Sequence, residues 1–116
     1  MKQGVYIETS VVSYLSGRPS RDVVILGRQE VTREIWPLLT ERFDCYVSAL
    51  VREEIERGDP EAARGRLEAL AEMPALTVSD DARELAKALV QKGLTPARFS
   101  EDALHIAIAS THGVEY

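Results

Sequence analysis

Residues 5–15 read VYIETSVVSYL, a short apolar run that passes directly into a helix-length segment. The β-branched and aromatic residues of the first part favour a strand. The TSVVSYL part predicts a short helix, which Gly17 and Pro19 should end. Glu8 therefore lies where a strand gives way to a helix, a position that needs an explanation.

The same order of strand and helix recurs along the chain. CYVS at 45–48 and ALTVS at 75–79 are further short apolar runs, and each precedes a helix-length pattern. Repetition of strand and helix predicts an α/β fold with a central parallel sheet. Only VEY follows Gly113, so we expect the last strand or strands of such a sheet to be missing. The predicted helices cover residues 9–15, 22–43, 49–57, 60–72, 80–92 and 100–112.

The longest predicted helix, over residues 22–43, contains a proline. Pro37 should kink this helix or end its regular part. Several apolar residues recur along it and define the face that we expect to be packed. These residues are Val24, Ile25, Val31, Ile35, Leu38 and Leu39.

Length and charge limit the possible functions. A chain of 116 residues, 45% of them apolar, predicts a single domain over residues 1–116. The net charge of −5 gives no overall attraction to nucleic acid, so any such contact needs a local basic patch or bound cations. A lone cysteine, Cys45, fits a reducing compartment. With neither a signal peptide nor a membrane span in the sequence, we expect a cytoplasmic protein without membrane contact.

Two acids need an explanation: one lies just beyond the carboxyl end of a strand, where a parallel sheet usually binds ligands, and the other lies on the buried side of a helix. Glu8 follows the first strand, although it is also placed to complement the dipole of the next helix. Glu54 falls on the same helical side as Leu50 and Val51, which should face the core. A buried carboxylate is costly without a partner, so Glu54 implies a cation, an arginine or a proton beside it.

The helix predicted at 100–112 carries two further polar candidates. Asp102 and His105 lie three residues apart on one stripe of a largely apolar helix. Asp102 is either functional or simply a first-turn acid behind an N-cap at Ser100. His105 is open to several interpretations: metal ligand or base, a partner that orients a carboxylate, a substrate contact, or a packed side chain. The sequence contains no Gly-rich phosphate loop, zinc spacing or Gly-x-Ser-x-Gly elbow.

Three motifs in order carry a resemblance to a known family. These are YIETSVVSYL with RPSRD, a serine-led helix with an inward glutamate six residues later, and DALHIAIA. Together they resemble the PIN-domain family of metal-dependent ribonucleases, and within it the VapC-like toxins of toxin–antitoxin pairs. The likeness extends from Val5 to the chain end, and it implies a three-layer, Rossmann-like domain. By position, it implies that the catalytic metal ligands are Glu8, Glu54 and Asp102, supported by Ser10 and His105.

The resemblance also implies ligands and partners. It implies Mg²⁺ or Mn²⁺ as the cofactor, and carboxylate oxygens suit these ions. It implies single-stranded or looped RNA as the substrate, a cognate antitoxin as the partner and a homodimer as the assembly. Arg18, Arg21 and Arg28 lie in a segment with a positive surplus, which either holds the RNA backbone beside the first acid or is an ordinary solvated surface.

Two departures from the family pattern keep other functions open. Glu8 stands where the family usually has an aspartate, and the family's fourth polar residue would follow a strand that this chain does not reach. The alternatives are a catalytically impaired PIN-like module that binds RNA or protein, and a generic doubly wound domain whose acids only cap helices.

Overall fold

The computed structural model describes residues 2–116 and shows an α/β domain in which strands alternate with helices. The α/β class and the parallel sheet predicted from the sequence are confirmed. None of the described helices is long and apolar enough to cross a membrane. The elements are β1 (Gly4–Tyr6), α1 (Thr9–Ser16), α2 (Val23–Arg42), β2 (Asp44–Ser48), α3 (Ala49–Glu56), α4 (Pro60–Ala69), β3 (Ala75–Leu76), α5 (Asp80–Gln91), a 3₁₀ turn (Ala97–Phe99) and α6 (Ser100–Thr111).

The three strands form a parallel sheet in the order β1, β2, β3. Val5 of β1 lies opposite Cys45, and Val47 of β2 lies opposite Ala75. All three strands end at the same edge of the sheet. That edge therefore brings together Glu8, two residues after β1, and the start of α3, which directly follows β2.

The outer edge of β1 is also occupied. The Tyr6 amide donates to the Tyr116 carbonyl at 2.7 Å, and the Gln3 side-chain amide contacts the Glu115 carboxylate at 3.3 Å. The residues after α6 therefore run beside β1, where a strand adjoining it would lie, although they have no strand assignment.

Helices pack on both faces of the sheet and form two apolar clusters, because successive strand side chains point to opposite faces. One buried cluster consists of Ile7, Val12, Val47, Val51, Ile55, Ala63 and Leu70. The other consists of Leu50, Ala82, Ala86, Ala103, Ala107 and Ile108, mostly from α5 and α6. Tyr6 packs against both clusters, so it lies at the centre of the domain.

The prediction for the packed face of α2 was wrong. Five of the six apolar residues expected on it are exposed, and among the six only Leu39 packs against the core. The exposed five are Val24, Ile25, Val31, Ile35 and Leu38. Apolar residues thus lie on the solvent side of this helix, away from the face that packs.

The packed face of α2 carries polar residues, and their hydrogen bonds explain why they can be buried. Gln29 is 5% exposed; its amide oxygen accepts from the Ser20 amide and its nitrogen donates to the Arg18 carbonyl, both at 2.9 Å. The Thr32 hydroxyl donates to the Arg28 carbonyl of the preceding turn at 2.7 Å. Buried polar groups that are hydrogen-bonded in this way carry little penalty.

Several predicted boundaries also differ from the structure. The first strand ends at Tyr6, earlier than expected, and the third covers only Ala75–Leu76. Pro37 does not end α2, which continues to Arg42. Ser100 is the first residue of α6 and not its cap, because the 3₁₀ turn leads directly into the helix and no side chain caps it.

Candidate functional site

Glu8 lies at the carboxyl edge of the sheet and is the N-cap of α1. Its Oε1 accepts a hydrogen bond from the Val11 amide at 3.0 Å and another from the Ser10 hydroxyl. The capping role that the sequence left open is therefore present, and Ser10 contacts the carboxylate it was predicted to support. Within residues 2–116, Oε2 of Glu8 has no hydrogen-bond partner, so one oxygen of the carboxylate is not used by the cap.

Glu54 lies on the inner side of α3, as its helical position predicts, and its side chain is only 19% exposed. Its Oε1 accepts from the Thr9 hydroxyl at 3.1 Å and lies 2.6 Å from Nε2 of His105. Glu53 and Glu56 on the same helix are exposed. The carboxylate of Glu54 is thus held where α1, α3 and α6 meet.

A chain of hydrogen bonds leads from Glu54 into the core. The His105 ring, which is buried, places Nδ1 at 2.6 Å from the Tyr6 hydroxyl. That hydroxyl lies 2.7 Å from the hydroxyl of Ser48, the N-cap of α3. We call Ser48, Tyr6, His105 and Glu54 the polar chain. Tyr6 was not among the predicted site residues, although it is the last residue of β1, two positions before Glu8, and this position was a signal for it.

The environment of Tyr6 raises the pKa of its hydroxyl to about 12. Burial is the main cause, and the negative charges of Glu54 and Glu8 add to it, while the hydrogen bond with Ser48 acts in the opposite direction. Both carboxylates therefore act on the same hydroxyl group. Thr9, the residue after Glu8, donates to Glu54 Oε1 at 3.1 Å, so the chain beside Glu8 lies against Glu54 at this edge of the sheet.

The raised pKa of Tyr6 predicts a loss of stability in alkaline solution. Since the folded state favours the protonated hydroxyl, this contribution is complete below pH 10, the ordinary pKa, and declines as the pH rises towards about 12. We expect the difference in the free energy of unfolding between the wild type and Tyr6→Phe to shrink over this range. Urea denaturation at several pH values measures it, and a constant difference would contradict the prediction.

Asp102 is exposed in the first turn of α6, three residues before His105. Its neighbour Glu101 pairs with Arg57 of the α3 C-cap at 3.3 Å, so this end of α6 lies beside α3. Among residues 2–116, no hydrogen bond or ion pair involves the Asp102 side chain. The structure thus joins Glu54 to Thr9, the neighbour of Glu8, whereas within residues 2–116 no hydrogen bond or ion pair connects Asp102 to either acid.

The donor chemistry fits a hard divalent cation. In the described part of the chain, no three His, Cys, Asp or Glu side chains lie close enough to hold a metal ion together. Mg²⁺, however, is commonly bound by one or two carboxylates with water and substrate phosphate. Glu8 and Glu54 each keep Oε2 without a hydrogen bond in residues 2–116. Ligation by all three acids stays a prediction.

The three arginines proposed for RNA lie at the other end of α1. Arg18, Arg21 and Arg28 are all exposed, and Arg28 donates to the Tyr14 hydroxyl at 3.3 Å. The eight residues of α1 separate this region from Glu8, which corresponds to about 12 Å. The arginines are therefore not beside the first acid, as the sequence suggested, but one helix length away.

A cavity of about 720 Å³ opens at the amino end of β2 and is separate from the polar chain. Its walls include Trp36, Asp44 and Cys45, and none of the candidate site residues lines it. Burial raises the pKa of the Cys45 thiol, which makes this cysteine a poor nucleophile. The candidate chemistry is thus concentrated at the carboxyl edge of the sheet.

Comparison with models of protein families, with curated proteins and with solved structures finds no match for this chain. The fold and the site define an α/β domain with a parallel sheet, whose carboxyl edge presents two acids, one of which is hydrogen-bonded to a buried histidine that also contacts a half-buried tyrosine.

Proposed function

We propose that the chain is a divalent-metal-dependent endoribonuclease of the PIN-domain class that cleaves single-stranded or looped RNA. The observation that carries the proposal is the Glu54 carboxylate, which is mostly shielded from water and accepts a hydrogen bond from Thr9, the residue next to Glu8. Two carboxylates at such a place repel each other unless a cation lies between them. The carboxyl edge of a parallel sheet is also where this fold class binds ligands.

The side chains have distinct roles in this proposal. Glu8 and Glu54 would hold Mg²⁺ or Mn²⁺, with Asp102 as the third carboxylate. Ser10 orients Glu8, while Thr9 and His105 orient Glu54. When bound, the metal would supply an activated water and a positive charge that stabilises the phosphate. It also reverses the negative potential of the pocket, which would otherwise repel RNA from a protein of net charge −5.

The arginine segment supports an RNA substrate. Gln29 ties the loop that carries Arg18 to α2, and the Arg33 guanidinium donates to the Leu15 and Gly17 carbonyls. The loop is thus fixed, and its exposed arginines can bind phosphates at a set distance from the acids. A separation of about 12 Å corresponds to about three or four stacked nucleotides. We therefore place the RNA backbone along α1.

The proposal extends to partners. We propose that the ribonuclease is the toxin of a type II toxin–antitoxin pair, restrained by a cognate antitoxin, and that it forms a homodimer. An exposed apolar surface supports the presence of a protein partner. Here α2 exposes Val24, Val31, Ile35 and Leu38 along its solvent side.

A second candidate is a PIN-like module that binds RNA or protein without cleaving it. The observation that favours it is the use of Glu8 Oε1 as a helix cap, together with the exposed position of Asp102. This candidate predicts no Mn²⁺ uptake in a calorimetric titration of the full chain, whereas the ribonuclease predicts clear uptake.

A metal-titrated cleavage assay tests the ribonuclease. We expect cleavage of single-stranded RNA to require Mn²⁺ or Mg²⁺, and Asp102→Asn to lower the rate by about 10²-fold, since it removes a charge near the metal. Glu101→Gln is the matched control: it neutralises the adjacent exposed acid and should change the rate by less than about threefold, because surface pairs contribute little. Equal, metal-independent cleavage by the wild type and Asp102→Asn would reject the proposal.

A further inference from the structure

The Tyr6 hydroxyl lies at the centre of the polar chain, between Ser48 and His105. We propose that Tyr6 is a positioning residue, whose hydroxyl fixes the His105 ring so that Nε2–H points at Glu54. The direction of the hydrogen bonds follows from the contacts of these residues alone. The importance of the arrangement for metal binding rests on the proposed function.

The donor and acceptor roles within the polar chain are determined at its buried end. Ser48 is completely buried, and its oxygen accepts from the Val51 amide at 3.2 Å. Within residues 2–116, the only other partner of this hydroxyl is the oxygen of Tyr6, at 2.7 Å. A buried hydroxyl hydrogen without an acceptor is costly, so Ser48 donates to Tyr6.

The positions of the Tyr6 and His105 hydrogens follow from this assignment. Tyr6 has one hydroxyl hydrogen, and it donates this to Nδ1 of His105 at 2.6 Å. Nδ1 is then an acceptor, so the ring hydrogen is on Nε2 and is donated to Glu54 Oε1 at 2.6 Å. In the opposite tautomer the hydrogen between Nε2 and Oε1 would have to come from Glu54, and one hydroxyl hydrogen of the Ser48–Tyr6 pair would have no acceptor among residues 2–116.

Two anchored nitrogens determine the orientation of an imidazole ring, whereas one leaves it free to tilt or turn over. Ring orientation matters here because His105 and Thr9 are the only donors to the Glu54 carboxylate within residues 2–116. In metal sites, groups that hold a ligand in this way tune affinity by about 10- to 100-fold. Tyr6 acts through His105, so we expect a smaller effect, of about three- to tenfold in Mn²⁺ affinity.

Nitrogen-15 NMR of the His105 ring in the metal-free full chain tests the inference. The chain has two histidines, and His112→Asn assigns the signals. In the wild type we expect the hydrogen on Nε2 and a hydrogen-bonded Nδ1. In Tyr6→Phe, which keeps the aromatic ring, we expect the Nε2 hydrogen to exchange with water about tenfold faster, since the ring opens more often. The Mn²⁺ dissociation constant should rise in parallel.

Tyr46→Phe is the matched control, since within residues 2–116 the Tyr46 hydroxyl has no hydrogen bond; it should change neither exchange nor affinity. A wild-type ring with its hydrogen on Nδ1, or unchanged exchange in Tyr6→Phe, would overturn the inference. If Tyr6→Phe does not fold, the tautomer of His105 in the wild type tests the inference by itself. If the wild type binds no Mn²⁺, the proposed ribonuclease fails, and the ring measurements still decide the role of Tyr6.

Discussion

Glu54→Gln is expected to lower metal-dependent RNA cleavage by about 10²- to 10³-fold while the domain stays folded. Glutamine keeps an oxygen that accepts from Thr9 and His105, so the local hydrogen bonds survive. It removes the negative charge that the metal requires. The cleavage rate at saturating Mn²⁺ measures the first effect, and urea denaturation checks that the free energy of unfolding changes by no more than about 1 kcal/mol.

Glu53→Gln is the natural comparison for this variant. Glu53 precedes Glu54 on α3, but it is exposed, and within residues 2–116 its carboxylate pairs with Arg57 alone, at 3.3 Å. Its substitution removes the same charge from the same helix and should leave cleavage within about threefold of the wild type. If Glu54→Gln cleaved RNA as fast as Glu53→Gln, Glu54 would have no place in the catalytic site.

His105→Leu is expected to lower the free energy of unfolding by about 2–4 kcal/mol. Leucine fills much of the space of the ring but makes no hydrogen bond. Glu54 would lose its shortest contact, and the Tyr6 hydroxyl would lose its acceptor, in a region mostly shielded from water. Urea denaturation monitored by circular dichroism measures the loss.

Two variants separate the hydrogen bonds of His105 from its bulk. His105→Gln places an amide nitrogen near the position of Nε2 and should recover about half of the lost stability, since one of two contacts returns. His112→Leu changes an exposed histidine, whose ring makes one hydrogen bond within residues 2–116, to the Thr77 carbonyl, and should cost less than about 1 kcal/mol. A His105→Leu protein as stable as His112→Leu would show that the polar chain does not stabilise the fold.

The features that the sequence predicted correctly depend on local patterns. Glu54 could be assigned to the inner side of α3 because Leu50 and Val51 define that side within one turn. The order of strands and helices could likewise be predicted from the local periodicity of apolar residues. Hydropathy gave the wrong packed face for α2, because apolar residues of this helix are exposed while Gln29 is buried. Gln29 can be buried because it is hydrogen-bonded to the loop before the helix, nine and eleven residues earlier in the chain.

The polar chain was hidden for a related reason. Tyr6 contacts Ser48, which is 42 residues away in the sequence, and His105, which is 99 residues away. No local sequence pattern can predict such contacts. Glu8 could be placed at the edge of the sheet from its position after β1. The exposed position of Asp102, by contrast, depends on how α6 docks against α3, which hydropathy does not reveal.

The division of the core into two clusters has a consequence for how the protein loses activity on heating. The α5 and α6 helices pack mainly on each other and supply most of the second cluster, so they can detach as one cooperative unit. That opening would carry away His105 and Asp102 together, while β1, β2 and the first cluster keep their contacts with one another. Inactivation should therefore begin below the temperature at which the rest of the domain melts, and it should reverse on cooling.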